Sequence, residues 1–153
     1  MVKLTESVIR FFESQGCVIL ATIDALGFPH SACKDIIKID REGKIYLLDV
    51  YHGKTFENLK RSSLASITAF NEHKFIGYCL KGKASSLSEK EMTPEVLKSW
   101  EERITNRATQ RLLKNLREEK VNSPHPEVSL PKPKYLILFE VQEVVDLAPY
   151  NLR

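Results

Sequence analysis

The sequence predicts a mainly β fold, a closed or nearly closed antiparallel barrel of six strands in meander order with flanking helices. Short runs rich in β-branched and apolar residues recur along the chain and are separated by turn-forming residues. Three further segments show the three- and four-residue apolar spacing of helices. The 153 residues suffice for one domain with its own core and leave little room for a second. An open α+β sandwich fits the same pattern and remains the alternative.

The first half of the chain predicts one helix and three strands. Residues 5–14 carry an apolar helical face, with Thr5 in the N-cap position and Gly16 as a stop. The three strands are predicted over 17–23, 29–39 and 44–50. Turns over 24–27 and 40–43 separate them, because each contains Asp and Gly.

The second half predicts a short helix over 54–61, strands over 64–70 and 75–87, a long helix and a final strand over 135–145. The long helix starts near Thr93 and Pro94. Its apolar stripe consists of Leu97, Trp100, Ile104, Ala108, Leu112 and Leu116. The inward residues expected in the middle strands are Ile67, Ala69, Ile76, Tyr78 and Leu80. Residues 121–134 hold four of the seven prolines, which predicts an extended loop.

Composition and charge narrow the class of protein. A net charge of +3 is too small to indicate nucleic-acid binding unless the cations cluster. The three cysteines show no metal-ligand spacing, so no metal site is predicted, and each is interpreted as a small buried hydrophobe. The N-terminus has no signal-peptide pattern, and the longest apolar run, over 17–21, is too short to span a membrane. We expect a cytoplasmic protein without a membrane partner.

The segment 52–58 joins a predicted strand to a predicted helix and could hold an anion. Gly53 permits close backbone approach, Thr55 is positioned to cap the helix, and Lys54 supplies an ammonium group. Asn58 follows one helical turn later and could donate a further hydrogen bond. Capped helix starts with a nearby lysine are common, so from spacing alone a helix start without a ligand is the favoured interpretation.

Several blocks resemble, in the same order, the FMN-binding split-barrel family related to pyridoxamine 5'-phosphate oxidase. Residues 20–24 and 27–30 resemble the opening hairpin of the family. Two further matching blocks follow along the chain, at residues 43–47 and 54–59. Residues 77–84 resemble the family's strand that ends in Gly-x-Ala. The resemblance covers roughly residues 17–90 and implies a six-stranded antiparallel split β-barrel with flanking helices.

The same resemblance implies a homodimer with two FMN sites at the subunit interface. It implies that the phosphate is held by Lys54, Thr55 and Asn58. The isoalloxazine ring would be lined by Ser31, Ala32, Cys33 and Lys34. The end of the third predicted strand would lie near the ring and the ribityl chain, through Leu48, Asp49 and Val50.

The implied activity is an FMN-dependent oxidoreductase that transfers hydride or electrons to a small acceptor. The alternative is a non-enzymatic carrier or sensor of FMN or a related ligand on the same barrel. No side chain is required as an acid or base, because the flavin carries the chemistry. Residues 146–153 do not reproduce the arginine-rich end of true pyridoxamine phosphate oxidases, so vitamin B6 oxidation is not expected. A haem or F420 site also stays open, although no histidine is singled out as an axial ligand.

Two charged features of the sequence allow more than one interpretation. Lys34 either reaches the flavin or, with Asp35, faces solvent at a sheet edge. The long helix carries a cationic stripe of Arg103, Arg107, Arg111 and Lys114. Nucleic-acid binding by this stripe is not expected, because glutamates flank it and no aromatic residues interleave for base stacking. We interpret it as a solvated or dimer-facing side of the helix.

Overall fold

A computed structural model describes residues 1–49, 53–118 and 135–153. Within them lies one antiparallel sheet of seven strands. The strands are β1 (Val18–Ile23), β2 (Pro29–Lys34), β3 (Ile36–Ile39), β4 (Lys44–Asp49), β5 (Leu64–Asn71), β6 (Ile76–Ser88) and β7 (Tyr135–Asp146). The helices are α1 (Glu6–Glu13), α2 (Lys54–Arg61) and α3 (Pro94–Arg117), and short 3-10 helices span Glu89–Glu91 and Tyr150–Leu152.

The sheet follows the order β2-β1-β5-β6-β7-β4-β3, which is not the simple meander that the sequence suggested. β1 pairs with β5, and β7 pairs on one side with β6 and on the other with β4. The sheet curls so that β2, at one edge, comes into contact with β4 near the other edge. The result is a half-open barrel, as expected for a split barrel.

The predicted strand over 29–39 is in fact two strands, which accounts for seven strands instead of six. The break falls at Asp35, between Lys34 at the end of β2 and Ile36 at the start of β3. β2 pairs with β1, whereas β3 pairs with β4 on the far side of the sheet. One continuous strand cannot lie at both edges, so the chain turns at Asp35.

Two apolar clusters hold the fold together. The larger one fills the concave side of the sheet and is covered by α1 through Val8, Ile9 and Phe12. The smaller one lies between α3 and the opposite side of β3 and β4; its buried members are Ile37, Leu48, Met92, Val96 and Leu136. Burying apolar surface on both sides of β4 fixes its register, since a shift by one residue would exchange the two clusters.

The helix starts agree with the sequence at α1 and α3 but not at α2. Thr5 caps α1 by accepting from the amide of Val8, and Thr93 caps α3 by accepting from that of Val96. At α2 the predicted cap at Thr55 is wrong: the N-cap is Gly53, and no side chain of the described residues caps this helix. Thr55 lies inside the first turn and is buried, so it packs rather than caps.

Close backbone approach explains the glycine at position 82. β6 has an irregular register with β7 between Lys81 and Gly82. A Cβ atom added at Gly82 would lie 2.0 Å from the carbonyl oxygen of Glu140. No residue with a side chain fits there without moving the backbone, so Gly82 is required for the pairing of these two strands.

Some predicted burial is wrong. Ile76 is exposed, since it lies at the first position of β6 beside the hairpin turn. On α3, Leu112 and Leu116 are exposed because only the N-terminal half of the helix packs against the sheet. The cysteines are also not in the core: Cys17 and Cys33 are exposed and Cys79 is half-buried. The predicted loop over 121–134 lies outside the described residues.

In the parts of the chain that the structure describes, none of the helices is both long enough and apolar enough to cross a membrane.

Candidate functional site

The seam between β2 and β4 holds a buried ion pair. The Lys34 ammonium donates to Asp49 Oδ1 at 3.1 Å, and the Asp49 side chain is only 1% exposed. These strands are not hydrogen-bonded neighbours in the sheet, so the pair bridges the open side of the barrel. The second carboxylate oxygen, Asp49 Oδ2, is buried and has no hydrogen-bond partner among the described residues. A buried carboxylate oxygen without a donor indicates that something else donates to it.

The start of α2 lies close to the β1–β2 hairpin. Lys54 is exposed and opens the helix directly after Gly53. The backbone amide of Phe28 holds the pKa of the Asp24 carboxyl below its ordinary value, and the charge of Lys54 lowers it further. Lys54 is therefore near enough to the hairpin turn to influence a carboxylate there. The exposed ammonium and the uncapped first-turn amides are groups that can meet an anion.

Asn58 anchors α2 to the sheet. It is completely buried, donates from Nδ2 to the Thr22 hydroxyl at 3.0 Å, and accepts at Oδ1 from Arg61 at 2.7 Å. Thr22 is also buried, so the amide and hydroxyl satisfy each other inside the barrel. Asn58 thus fixes the position of α2, and with it the position of Lys54.

The residues predicted to line the ring do not share one face of β2. Side chains alternate along a strand. Ser31 and Cys33 face outward and are exposed, whereas Ala32 and Lys34 lie on the other side, opposite the buried Leu20 and Val18 of β1. The structure therefore brings together Lys34 and Asp49 but separates them from Ser31 and Cys33.

The three residues predicted at the end of the third strand do not all lie at the seam. Leu48 packs in the smaller core cluster against α3, whereas Asp49 points to the seam. Val50 lies outside the described residues, so its predicted position near the ribityl chain stays a prediction. Of this trio, only Asp49 presents a polar group without a protein partner among the described residues.

A charged cluster that sequence reasoning missed lies where β2 ends. Asp35 accepts from Arg103 at 2.8 Å through Oδ1 and from Arg107 at 2.7 Å through Oδ2. Arg103 also donates to the backbone carbonyls of Glu13 and Gln15. The carboxylate thus ties α3 to the β2–β3 junction, and Arg103 ties α3 to the end of α1. Of the alternatives left open for Asp35, solvent exposure at a sheet edge is wrong, and Arg103 and Arg107 of the stripe are engaged inside the protein instead of being solvated.

A cleft of about 820 Å³ lies between the end of α1 and the C-terminal half of α3. Its charged residues are Glu13, Arg103, Arg107, Arg111, Lys114, Arg117 and Glu118. Arg103 and Arg107 are engaged with Asp35, so part of this positive charge is already balanced inside the protein. Among the described residues, no group of three or more His, Cys, Asp or Glu side chains is arranged to hold a metal ion.

Comparison with known proteins gives one family and a set of similar folds. A family model described as pyridoxamine 5'-phosphate oxidase matches residues 4–145. No curated protein matches the chain. Among solved structures, HupZ of Group A Streptococcus is similar with a TM-score of 0.67 and 15% identity, over 95% of this chain and 94% of that chain.

Two further structures share the fold. A pyridoxamine 5'-phosphate oxidase-related, FMN-binding protein of Nostoc punctiforme gives a TM-score of 0.55 and 14% identity, over 92% of this chain and 79% of that chain. An F420 reductase gives a TM-score of 0.51 and 12% identity, over 84% and 88% of the two chains. At these identities the structural similarity concerns the fold alone.

Proposed function

The chain belongs to the pyridoxamine 5'-phosphate oxidase family, and from this premise we propose that it is an FMN-binding flavoprotein that transfers hydride or electrons to a small acceptor. The observation that carries the proposal is the family match over residues 4–145, in which the predicted phosphate segment and the Lys34–Asp49 seam both fall. The FMN-binding relative from Nostoc punctiforme supports the choice of cofactor. Cytoplasmic localisation belongs to the same proposal.

The residues at the seam fit such a cofactor. Asp49 Oδ2 is buried and lacks a donor within the described chain. The ribityl chain of FMN carries hydroxyl groups, each of which can donate one hydrogen bond. Hydrogen bonds to a charged acceptor contribute about 1.5–3 kcal/mol each, so satisfying Asp49 would favour a hydroxylated ligand over an apolar one.

The start of α2 fits the phosphate. Lys54 is exposed beside helix amides that no described side chain caps, and the dipole of α2 favours an anion at this end. In this arrangement Lys54 and the backbone around Thr55 bind the phosphate. Asn58 is buried and already hydrogen-bonded on both sides of its amide, so its contribution is to hold α2 in place.

When bound, FMN supplies the hydride and one-electron chemistry. The protein's own residues would bind and orient it: Lys54 would hold the phosphate, and Asp49 would accept a hydrogen bond from a ligand hydroxyl. Lys34 is paired with Asp49, so its charge is largely offset at the seam. A carrier or sensor would use the same contacts without turnover and is the second candidate.

We also propose that two copies associate through the outer face of the sheet at the Ile23 end of β1, which is the end away from Val18 and Lys34. Ile23 of β1 and Leu64 of β5 are exposed on this face and flank a groove of about 390 Å³. Exposed large apolar side chains on neighbouring strands favour a second copy as occupant, since the family resemblance implies a homodimer. Light scattering of the purified protein tests this, and Leu64→Lys should shift the mass from dimer to monomer. A wild-type mass equal to that of one chain would contradict the proposed homodimer.

Titration with FMN tests the proposed cofactor. The protein should be yellow as purified or quench FMN fluorescence on addition. Lys54→Ala should weaken FMN binding more than tenfold, because it removes one charge-assisted contact worth about 1.5–3 kcal/mol. Lys60→Ala is the matched control, since Lys60 lies on the same helix and its side chain is 56% exposed. Absence of flavin absorption and of quenching would refute the cofactor, and equal affinities of the two variants would place the phosphate elsewhere.

Two assays separate the remaining possibilities. Reoxidation of NADH or NADPH by the FMN-loaded protein distinguishes an oxidoreductase from a carrier, which would bind FMN without turnover. Parallel titration with F420 tests the cofactor named for one structural relative. Tighter binding of F420 than of FMN would replace FMN in the proposal.

A further inference from the structure

Two cysteines lie side by side on the outer face of the sheet. Ile19 of β1 is opposite Cys33 of β2, and Val18 is opposite Lys34. Cys17 directly precedes Val18, so its side chain points to the same face as that of Ile19. Cys17 is therefore the diagonal neighbour of Cys33 across the two strands, and it is close enough to contribute to the raised pKa of the Cys33 thiol.

Both thiols are exposed, which is unusual for free cysteine. A buried pair would be shielded from oxidants, whereas these two can be reached from solvent. The third cysteine, Cys79, lies on the same face but far away. Cys33, Ile19, Thr68 and Cys79 follow one another across four adjacent strands. Three strand spacings separate Cys79 from Cys33 by about 14 Å, beyond the reach of a disulfide.

We propose that Cys17 and Cys33 are a reversible dithiol–disulfide couple, oxidised by a peroxide or by a small disulfide. With hydrogen peroxide, the Cys17 sulfur attacks one oxygen and water leaves, which gives a sulfenic acid. The Cys33 sulfur then attacks the Cys17 sulfur, a second water leaves, and the S–S bond forms. The two thiols together lose two electrons and two protons, and the peroxide is reduced to two waters. An added dithiol reduces the S–S bond back to two thiols and is itself oxidised to a disulfide.

The roles of the two sulfurs follow from their surroundings. Partial burial, and after it the neighbouring Cys17 thiol, raises the pKa of Cys33 to about 11. Because the thiolate is the nucleophile, the raised pKa makes Cys33 react more slowly with an oxidant than Cys17. Cys33 therefore acts in the second step, in which it attacks the oxidised Cys17 sulfur. Cys17 lies at the bend next to Gly16, just outside β1, where a small backbone movement can bring the sulfurs into bonding distance. The couple does not depend on the proposed cofactor.

Mass spectrometry of the full-length protein tests the couple. After treatment with hydrogen peroxide at mildly alkaline pH, the denatured, unreduced wild type should lose about 2 Da through an intrachain bond, with Cys79 alone still open to maleimide. Dithiothreitol should restore the original mass. Cys79→Ser should behave like wild type, whereas Cys17→Ser and Cys33→Ser should each abolish the loss.

Three results would overturn the proposal. One is the same mass loss in Cys17→Ser or Cys33→Ser. Another is a wild type that only gains mass in steps of about 16 Da, as in sulfinic and sulfonic acids. The third is a wild type that only forms covalent dimers or does not react. Serine is close in size to cysteine and both positions are exposed, so circular dichroism should confirm that the variants are folded.

Discussion

The Lys34 ammonium lies 3.1 Å from Asp49 Oδ1 and joins β2 to β4, two strands that share no backbone ladder. The side chains are 16% and 1% exposed, so the pair is screened little by solvent. It is a side-chain link across the open side of the barrel, at the place where the sheet fails to close. Both residues were expected near a cofactor, and the structure adds that they contact each other.

Replacing Lys34 should destabilise the fold more than replacing an exposed lysine. Lys34→Met leaves the buried Asp49 carboxylate without its only described partner, and breaking a buried pair in this way costs about 3–5 kcal/mol. Lys3→Met, which removes an exposed pair with Glu42, should cost at most about 1 kcal/mol. Urea unfolding measures both. Equal losses for the two variants would show that the seam pair contributes no more than a surface contact.

The Asp35 cluster should control how firmly α3 is held. Asp35→Asn removes the charge that Arg103 and Arg107 share, so the two guanidinium groups then repel each other. We expect a loss of about 3 kcal/mol in the free energy of unfolding. Hydrogen exchange should accelerate in α3 and at residues 13–15, which Arg103 ties together. Glu102→Gln, in an exposed pair with Lys98, is the control and should change exchange little. Unchanged protection of α3 in Asp35→Asn would contradict the role of the cluster.

Asn58 should matter first for stability and through stability for ligand binding. Asn58→Ala leaves the buried Thr22 hydroxyl without its amide donor, which costs about 1–3 kcal/mol. Because α2 loses its anchor, FMN affinity should fall as well. Thr22→Val/Asn58→Leu should recover part of the stability, since both polar partners are then absent. Asn106→Ala, at an exposed position of α3, serves as the control. Full stability in Asn58→Ala would show that the buried bond is dispensable.

The reactivity of Cys33 should depend on pH far above neutrality. Partial burial and the contact with Cys17 raise its pKa from 9.0 to about 11. Alkylation of Cys33 by iodoacetamide, followed by peptide mass spectrometry, should still be accelerating at about pH 10. Because the folded pKa is the higher one, the contribution of the protonated thiol to stability is complete below about pH 9 and declines as the pH rises towards about 11. Cys17→Ser should lower the midpoint, and a wild-type midpoint near 9.0 would contradict the contact.

Much of the fold could be predicted from the sequence because it depends on residues that are near neighbours along the chain. Thr5 and Thr93 cap the helices that the sequence assigned to them. Gly27 and Gly43 have positive φ in the two turns predicted before β2 and β4. The cap predicted for α2 at Thr55 was wrong. The helix begins one residue after Gly53, which is its N-cap and has no side chain to cap it, and composition does not specify this start.

The candidate site could be predicted from the sequence only in part. Family resemblance pointed to the segments around Lys34, Asp49 and Lys54, but it could not say which side chains are already engaged inside the protein. Asn58 illustrates the difficulty: one turn of helix suggested an outward amide, whereas the packing of α2 on β1 turns it into the core. The exposure of Cys33 was missed for a similar reason, since alternation decides its face only once the strand register is known.

The sequence alone determined the caps of α1 and α3, the turns before β2 and β4 and the order of the family-like blocks, because all of these depend on residues a few positions apart. The tertiary structure decided the long-range contacts. Lys34 meets Asp49 across 15 positions, Asn58 meets Thr22 across 36, and Arg103 meets Asp35 across 68. Such pairs form only where the curl of the sheet and the docking of α2 and α3 bring buried polar groups together, since each must then find a partner away from water.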